Sequence, residues 1–580
     1  MCFETAPITW GVLFQRTKKL LRSRAAFALL GGACLGCSFP DIGISGLAWI
    51  GPGLLVIAAA GATGGEAFRA GFLGALAHYL ITLNWLLNIP YRWMGLPLAP
   101  AAGWLALSGF IALGPATWVW LVTRIGAFSP EPPQPELPER HFLYRAADFL
   151  PGTWLGRSAL AIFGAAAWVA FEMYITRIFG GFPWNLLGAS QYQLLPLLQM
   201  AEVTGIYGVS FLIVWFSVAL AMTVPGVLRR GERPPVWSSE IMIPVLVIAV
   251  IFSWGLRETR QVPPHDRTLK VAMIQPSIPQ TLIWNEANDD ARFRHLVELS
   301  VQALTNKPDL LVWPEAAIPK LLRYNSDTYN TVSGLARQHK VWMIVGADDA
   351  EPRRDTPDPN DADYYNSSFL ISPEGKLEDR YRKRSLVIFG EYIPLAKWLP
   401  FLAWFTPIQG GFTAGDDPVP FELTDLGLET SVLICFEDVF PGLGRSAASA
   451  DTDFLVNLTN NGWFGEGAAQ WQHAVSSILR AVENRRPLLR CTNSGLTCWV
   501  DAHGRIRQVF RDPKGTIYGE GFLFFELPLP SAENRPAPTF YNRHGDVFGW
   551  VCVLATLVPL AWFIGLRQRN EVNSAPRGDA

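Results

Sequence analysis

Seven apolar stretches occupy the first 256 residues, at about 21–39, 44–61, 68–89, 99–123, 158–178, 205–228 and 240–256, and an eighth stands at 545–566. Each is roughly 17 to 25 residues long, enough for a helix to cross ~30 Å of hydrocarbon. A backbone in lipid must satisfy its own polar groups, so such stretches can only be helices. Pro52 in the second is tolerable where neighbours satisfy the freed carbonyl. Composition agrees: half of the residues are hydrophobic, 17% are charged and Trp occurs 23 times, as expected of a surface that faces lipid and is anchored by aromatic rings. The net charge of −2 and the lack of any basic block give no sign of a nucleic-acid partner.

The loops set the orientation. Arg16, Lys18, Lys19, Arg22 and Arg24 precede the first stretch, Arg124, Arg140, Arg145 and Arg157 separate the fourth from the fifth, Arg229, Arg230 and Arg233 the sixth from the seventh, and Arg567 and Arg569 follow the eighth. With eight spans all lie on one side, which the positive-inside rule makes cytoplasmic. Both termini are then cytoplasmic and residues 257–544 lie outside. Pro130, Pro132, Pro133, Pro135 and Pro138 mark a linker near 125–157. The expected division is 1–256 as spans one to seven, 257–544 as an extracytoplasmic catalytic domain, and 545–580 as the last span with its tail.

Within 257–544, β-like runs at 269–274, 309–313, 341–346, 367–372, 430–435, 453–458 and 497–501 alternate with helix-like stretches at 286–304, 327–339 and 468–484. That alternation predicts a layered α/β domain. At or soon after such runs stand Trp313-Pro314-Glu315, Tyr381-Arg382-Lys383 and Ile434-Cys435-Phe436-Glu437. They offer a carboxylate, an ammonium and a thiol. Taken singly, a buried Cys, a turn-capping Glu and a solvated Lys are ordinary structural residues; together they outline an acyl-transfer site. A free thiol is only a few per cent ionised near neutral pH, so Glu315 is the candidate base and Lys383 the candidate donor to a tetrahedral oxyanion. Glu391 is placed to fix the ammonium.

Of the remaining cysteines, Cys34 and Cys37 fall in an apolar run, and Cys491 and Cys498 are close enough in sequence to bridge outside the cytoplasm. No Cys and His array suggests zinc, and with no nucleotide-binding motif either, no metal or other cofactor is expected. His78, Glu172 and Arg177, in or beside spans, are either functional or structurally paired. The aromatic segment 395–412, with Leu395, Trp398, Leu399, Phe401, Leu402, Trp404 and Phe405, is either a lid that dips into the membrane surface or internal packing.

The order Glu, Lys, Cys in these surroundings resembles the nitrilase (carbon-nitrogen hydrolase) superfamily, and more closely its membrane-embedded branch, the apolipoprotein N-acyltransferases. The matching motifs are Gln275-Pro276-Ser277-Ile278-Pro279-Gln280, Val312-Trp313-Pro314-Glu315, Tyr381-Arg382-Lys383, Phe389-Gly390-Glu391-Tyr392-Ile393-Pro394, Cys435-Phe436-Glu437, Asn460-Asn461-Gly462-Trp463-Phe464-Gly465 and, among the spans, Gly181-Phe182-Pro183-Trp184-Asn185. The resemblance implies an α-β-β-α sandwich beside a bundle of about eight spans, with Glu315, Lys383 and Cys435 as the triad, Glu391 and Glu437 as supporting acids, and Trp184, Asn366 and Trp463 at the pocket or lid. It also implies a bacterial inner-membrane enzyme with its catalytic domain in the periplasm. The partners would be a phospholipid acyl donor and a diacylated apolipoprotein acceptor. Three positions depart from the pattern: Phe436 where Tyr is common, Ile388 where Pro is usual, and Asn461 where Asp is frequent. A membrane-anchored amidase and a non-catalytic receptor on the same fold remain the alternatives.

Overall fold

The computed structural model describes residues 23–89, 98–126, 153–228, 240–261, 265–283, 285–353, 361–395, 398–399, 401 and 411–573. The N-terminal part is helical: α1 (Arg24–Cys37), α2 (Gly51–Ala59), α3 (Gly64–Thr82), α4 (Ala99–Gly126), α5 (Trp154–Ile175), α6 (Ile206–Leu228) and α7 (Met242–Arg260). Every apolar stretch read from the sequence thus contains a helix, but the bounds move where local chemistry decides them. Thr63 accepts from the Glu66 N–H while Glu66 accepts from the Thr63 N–H, a capping box that starts α3 ahead of its apolar run. Pro52 does not kink a helix but opens α2, where its missing N–H costs nothing.

Among the described residues four helices are long and apolar enough to cross a membrane: Ala99–Ile125, Trp154–Ile175, Ile206–Thr223 and Met242–Arg260. Arg24–Cys37, Ser45–Ala59 and Val547–Trp562 are apolar but shorter. By length and composition alone, four of the eight expected spans are supported among the described residues. The basic loops at 16–22, 140–145 and 229–233, and residues 402–410 of the aromatic segment, lie outside the described residues.

From Arg267 to Leu529 the chain forms two six-stranded sheets. One has the order β12 (Gly521–Leu529), β1 (Arg267–Gln275), β2 (Leu310–Val312), β3 (Trp342–Pro352), β4 (Ala362–Ile371), β5 (Leu377–Arg382). The other has the order β11 (Ile506–Val509), β10 (Cys498–Val500), β9 (Leu488–Thr492), β8 (Phe454–Thr459), β7 (Leu428–Ile434), β6 (Pro420–Leu423). Val271, Val312, Ile344, Val432, Val456 and Phe525 close the space between the sheets. α8 (Asp289–Leu304) and α9 (Ser326–His339) cover the outer face of the first sheet through Leu296, Leu335 and Trp313. α10 (Pro441–Ala447) and α11 (Ala468–Asn484) cover the second, and the same apolar core continues through Val475 and Ile478 into Trp168 and Leu212 of the helical part. The layers are α-β-β-α, with one outer layer packed against the helices. A last helix, α12 (Val547–Asn573), returns to that bundle, where Arg177 pairs with Asp546.

A Cys491 to Cys498 bridge, which the sequence leaves open, does not form; both thiols are free and buried. β9 and β10 are antiparallel with Cys498 opposite Arg490, so Cys491, one residue on, points to the other face of the sheet. Cys491 lies between the sheets and Cys498 under the outer helices.

Candidate active site

Three strands carry the three candidate side chains, Glu315, Lys383 and Cys435, at or just beyond their C-terminal ends. β2 runs through Trp313 and Pro314 to Glu315, with the Trp313 indole buried and donating to Ser300 Oγ at 2.9 Å. β5 ends at Arg382, and Lys383 follows with its N–H donated to the Asn366 carbonyl of β4 at 2.8 Å. β7 in the opposite sheet ends at Ile434, and Cys435 turns the chain into a 3-10 segment with φ of +52°. A left-handed conformation at a non-glycine residue costs on the order of 1–3 kcal/mol and persists only where the surroundings impose it.

Glu437 imposes it from one side. Fully buried, it accepts from the N–H groups of Ile434 (2.7 Å), Arg384 (2.7 Å) and Ser385 (3.1 Å) and from the Tyr381 hydroxyl (2.8 Å), so one carboxylate ties the turn after β7 to the loop after β5 across the two sheets. His473 acts from the other side. Its Nε2 lies 3.2 Å from the Cys435 carbonyl and 2.9 Å from Asp438 Oδ1, and Asp438 is paired in turn with Arg490 at 2.7 Å. Burial first and Arg490 second pull the imidazole pKa down, so the ring is neutral. With Nε2 as the donor Nδ1 accepts, and Asn461, whose Oδ1 is placed 2.8 Å from Nδ1 and whose buried Nδ2 has no partner among the described residues, can serve it by presenting Nδ2 instead, which a carboxylate could not do.

Lys383 is enclosed. Nζ donates to Glu391 Oε1 at 2.8 Å and to Glu315 Oε1 at 3.2 Å, which uses two of its three hydrogens. Asn366 Nδ2 donates to the same two oxygens at 2.9 and 2.8 Å, while Glu315 Oε2 accepts from the Asn460 N–H at 2.8 Å. Burial alone would lower the Lys383 pKa; Glu315 and Glu391 outweigh it and hold the ammonium well above the usual lysine range. For Cys435 the balance runs the other way. Burial, reinforced by the Glu315 charge and opposed by Lys383, pushes the thiol up to about 12. At rest the Cys435 sulfur therefore carries its proton, which must leave in any attack by that sulfur.

Aromatic rings wall the site on the side of the helical part. Trp184 stacks on Phe436, with centroids 6.0 Å apart and planes 20° from parallel, and Phe182 touches both rings, its centroid 6.4 Å from Trp184 and 6.3 Å from Phe436. Phe464 meets Trp184 edge-on, and Trp463 is half-buried next to it. Gln472 of α11 joins the halves: its amide oxygen accepts from Trp184 Nε1 (2.8 Å) and Asn185 Nδ2 (3.0 Å), and its Nε2 donates to the carbonyls of Pro40 and Thr82. Among the described residues no group of three His, Cys, Asp or Glu side chains is placed to hold a metal ion.

The carbon-nitrogen hydrolase family matches residues 270–520, and the apolipoprotein N-acyltransferase N-terminal domain matches residues 31–219. The apolipoprotein N-acyltransferase of Geobacter metallireducens is 35% identical over 92% of this chain and 94% of its own. The chain belongs to the apolipoprotein N-acyltransferase family. The Brucella melitensis relative of the same name is 32% identical over 71% of this chain and 73% of its own. Among solved structures, Nit3 of Saccharomyces cerevisiae, a nitrilase-superfamily member, aligns over 46% of this chain and 91% of its own, at 19% identity and a TM-score of 0.33.

Of the eight site residues expected from the sequence, the structure gathers Glu315, Lys383, Glu391 and Asn366 into one hydrogen-bonded cluster, in which two acids share the donors of one ammonium and one amide. Asn366 stands among the carboxylates and Trp184 beside the residue that follows the nucleophile. Glu437 acts on the backbone around Cys435. His473, Asp438 and Arg490 were not expected. One signal existed: His473, Ser477 and Arg480 recur at helical spacing on a segment that also carries Ala474, Val475, Ile478 and Leu479, and a helix buried by those apolar residues needs partners for its polar ones.

Proposed function

We propose that this chain transfers an acyl chain from a phospholipid, through a thioester on Cys435, to the α-amine of the N-terminal S-diacylglyceryl cysteine of lipoproteins. The observation that carries this is the stack of Trp184 on Phe436, which walls the nucleophile with rings from the lipid-facing half of the chain. An apolar groove of about 400 Å³ between α4 and α5, lined by Phe110, Leu113, Phe171 and Tyr174, supports it. That groove shares Phe171 and Ile175 with a cavity that reaches Phe182 and Trp184. A small amide needs neither.

In the first half-reaction Glu315 takes the Cys435 proton as sulfur attacks the ester carbonyl, and the remaining Lys383 hydrogen meets the oxyanion. Collapse breaks the C–O bond, and Glu315 returns the proton to the departing lysophospholipid oxygen. In the second, the free amine attacks the thioester, Glu315 accepts its proton, and the C–S bond breaks as the C–N bond forms, with sulfur reprotonated. A donor aimed at an oxyanion in a water-poor site contributes on the order of 3 kcal/mol to the transition state.

The setting we propose is the bacterial inner membrane, with about eight spans and residues 257–544 in the periplasm between 1–256 and 545–580. Leu395 and Trp398, 61% and 81% exposed, then belong to a segment that dips into the membrane surface. Incubation of the purified protein with labelled phospholipid tests the reading. Intact-mass measurement should show one acyl chain added, removable by neutral hydroxylamine, absent in Cys435→Ala, and discharged by a diacylated lipopeptide with a free amine but not by its N-acetylated form. Full activity in Cys435→Ala would overturn it.

A further inference from the structure

Asn366 has only one sense in which its amide fits. Glu315 and Glu391 both present oxygens to it, so Nδ2 must face them, and Oδ1 faces away. That Oδ1 is buried and no protein group donates to it among the described residues. Directly opposite on the neighbouring strand, in the antiparallel pairing of β3 with β4, stands Asp348. Its Oδ1 is likewise buried with no protein donor. Directly opposed side chains on one sheet face are about 5 Å apart at Cβ, within reach of each other. Two neighbouring buried acceptors, each lacking a donor, are satisfied together by a single proton between them.

We propose that Asp348 is a positioning residue of the active site, a neutral carboxylic acid that donates its O–H to Asn366 Oδ1 and so fixes the amide that holds Glu315 and Glu391. The groups around it point the same way. Glu315 and Glu391 face it from the loops after β2 and β5, Asp349 adjoins it on its own strand, and Lys383 is the one cation shared by the two glutamates. Asp349 has its own partners in Arg323, Arg380 and Arg382. Burial, then Glu315 and Glu391, raise the Asp348 pKa to about 7. Below that the O–H is present. As pH rises through it, the proton is lost, two acceptors face each other, and a third negative charge sits beside the base that must accept the thiol proton.

The test uses the full-length protein in detergent and rests on the acyl-loading reaction proposed above. Single-turnover loading of Cys435 by phospholipid should fall with a midpoint near pH 7 in the wild type. Asp348→Ala should load about tenfold more slowly at pH 6, the cost of one buried hydrogen bond at about 1.4 kcal/mol. Asp348→Asn, whose amide N–H can replace the O–H, should recover most of that loss and show no fall near pH 7. An infrared difference spectrum, wild type minus Asp348→Asn at pH 6, should contain the C=O band of a neutral carboxylic acid and lose it by pH 8. A missing band overturns the proposal, as does a wild-type profile that is flat through pH 7 or an Asn variant as slow as the Ala variant. If no acyl chain ever loads, the reading of the site fails instead, and the band still reports on Asp348.

Discussion

The imidazole of His473 reaches the backbone carbonyl of Cys435, Nε2 to O 3.2 Å, from a helix that begins a full strand after the nucleophile. It holds the left-handed turn that aims the sulfur. His473→Ala should leave Asp438 Oδ1 without its buried donor and the Cys435 carbonyl with Asn457 Nδ2 as its remaining one, at about 1–3 kcal/mol. Acyl loading and the thermal midpoint should fall together, whereas loss of loading at an unchanged midpoint would show a role other than holding the turn.

Lys383→Met keeps length and apolar bulk but removes the proposed oxyanion donor. Loading should drop by about a hundredfold or more, with Glu315 and Glu391 left as buried uncompensated carboxylates. The variant should therefore also unfold at lower temperature near neutral pH and recover part of the difference when acidified, as calorimetry across pH would show.

The thiol at about 12 gives a pH prediction whose sign is fixed by its neighbours. Burial and Glu315 both raise it, so alkylation of resting Cys435 by iodoacetamide should still be climbing at pH 10 rather than levelling off near the ordinary thiol value. Glu315→Gln deletes the second of those causes. At a fixed pH above 8 it should alkylate faster than the wild type, yet fail to load an acyl chain. A slower alkylation would mean that Glu315 favours the thiolate.

Topology follows from the arginine distribution. A reporter fused near residue 350 should be active only outside the cytoplasm and one at the C-terminus only inside; reversed signals would invert the membrane arrangement.

Much of this site was legible because Glu315 and Cys435 each follow a short apolar run, and such runs become strands whose C-terminal ends converge. β5, Leu-Glu-Asp-Arg-Tyr-Arg, has no apolar run to betray it; it is an edge strand, placed by its pairing with β4. Asp348 was illegible for a related reason. Ala-Asp-Asp-Ala reads as a turn by propensity, and ten residues of pairing between β3 and β4 override it. Partners across strands, and His473 beneath the nucleophile, depend on register and helix docking that no single-sequence pattern encodes. The eight apolar stretches were visible from composition, but composition does not give a helix its length: the Thr63 capping box and Pro52 do.

Gln472 has four partners, and all of them lie in the helical half. A soluble relative could be lifted from its anchor and attached to another. This catalytic half could not, because excision would strand the Gln472 amide at a bare face of α11 and leave two backbone carbonyls and an indole N–H of the helical half without their partner. The two halves must therefore be inherited, expressed and purified as one unit, and any attempt to build a water-soluble version has to redesign that helix face before it touches the chemistry.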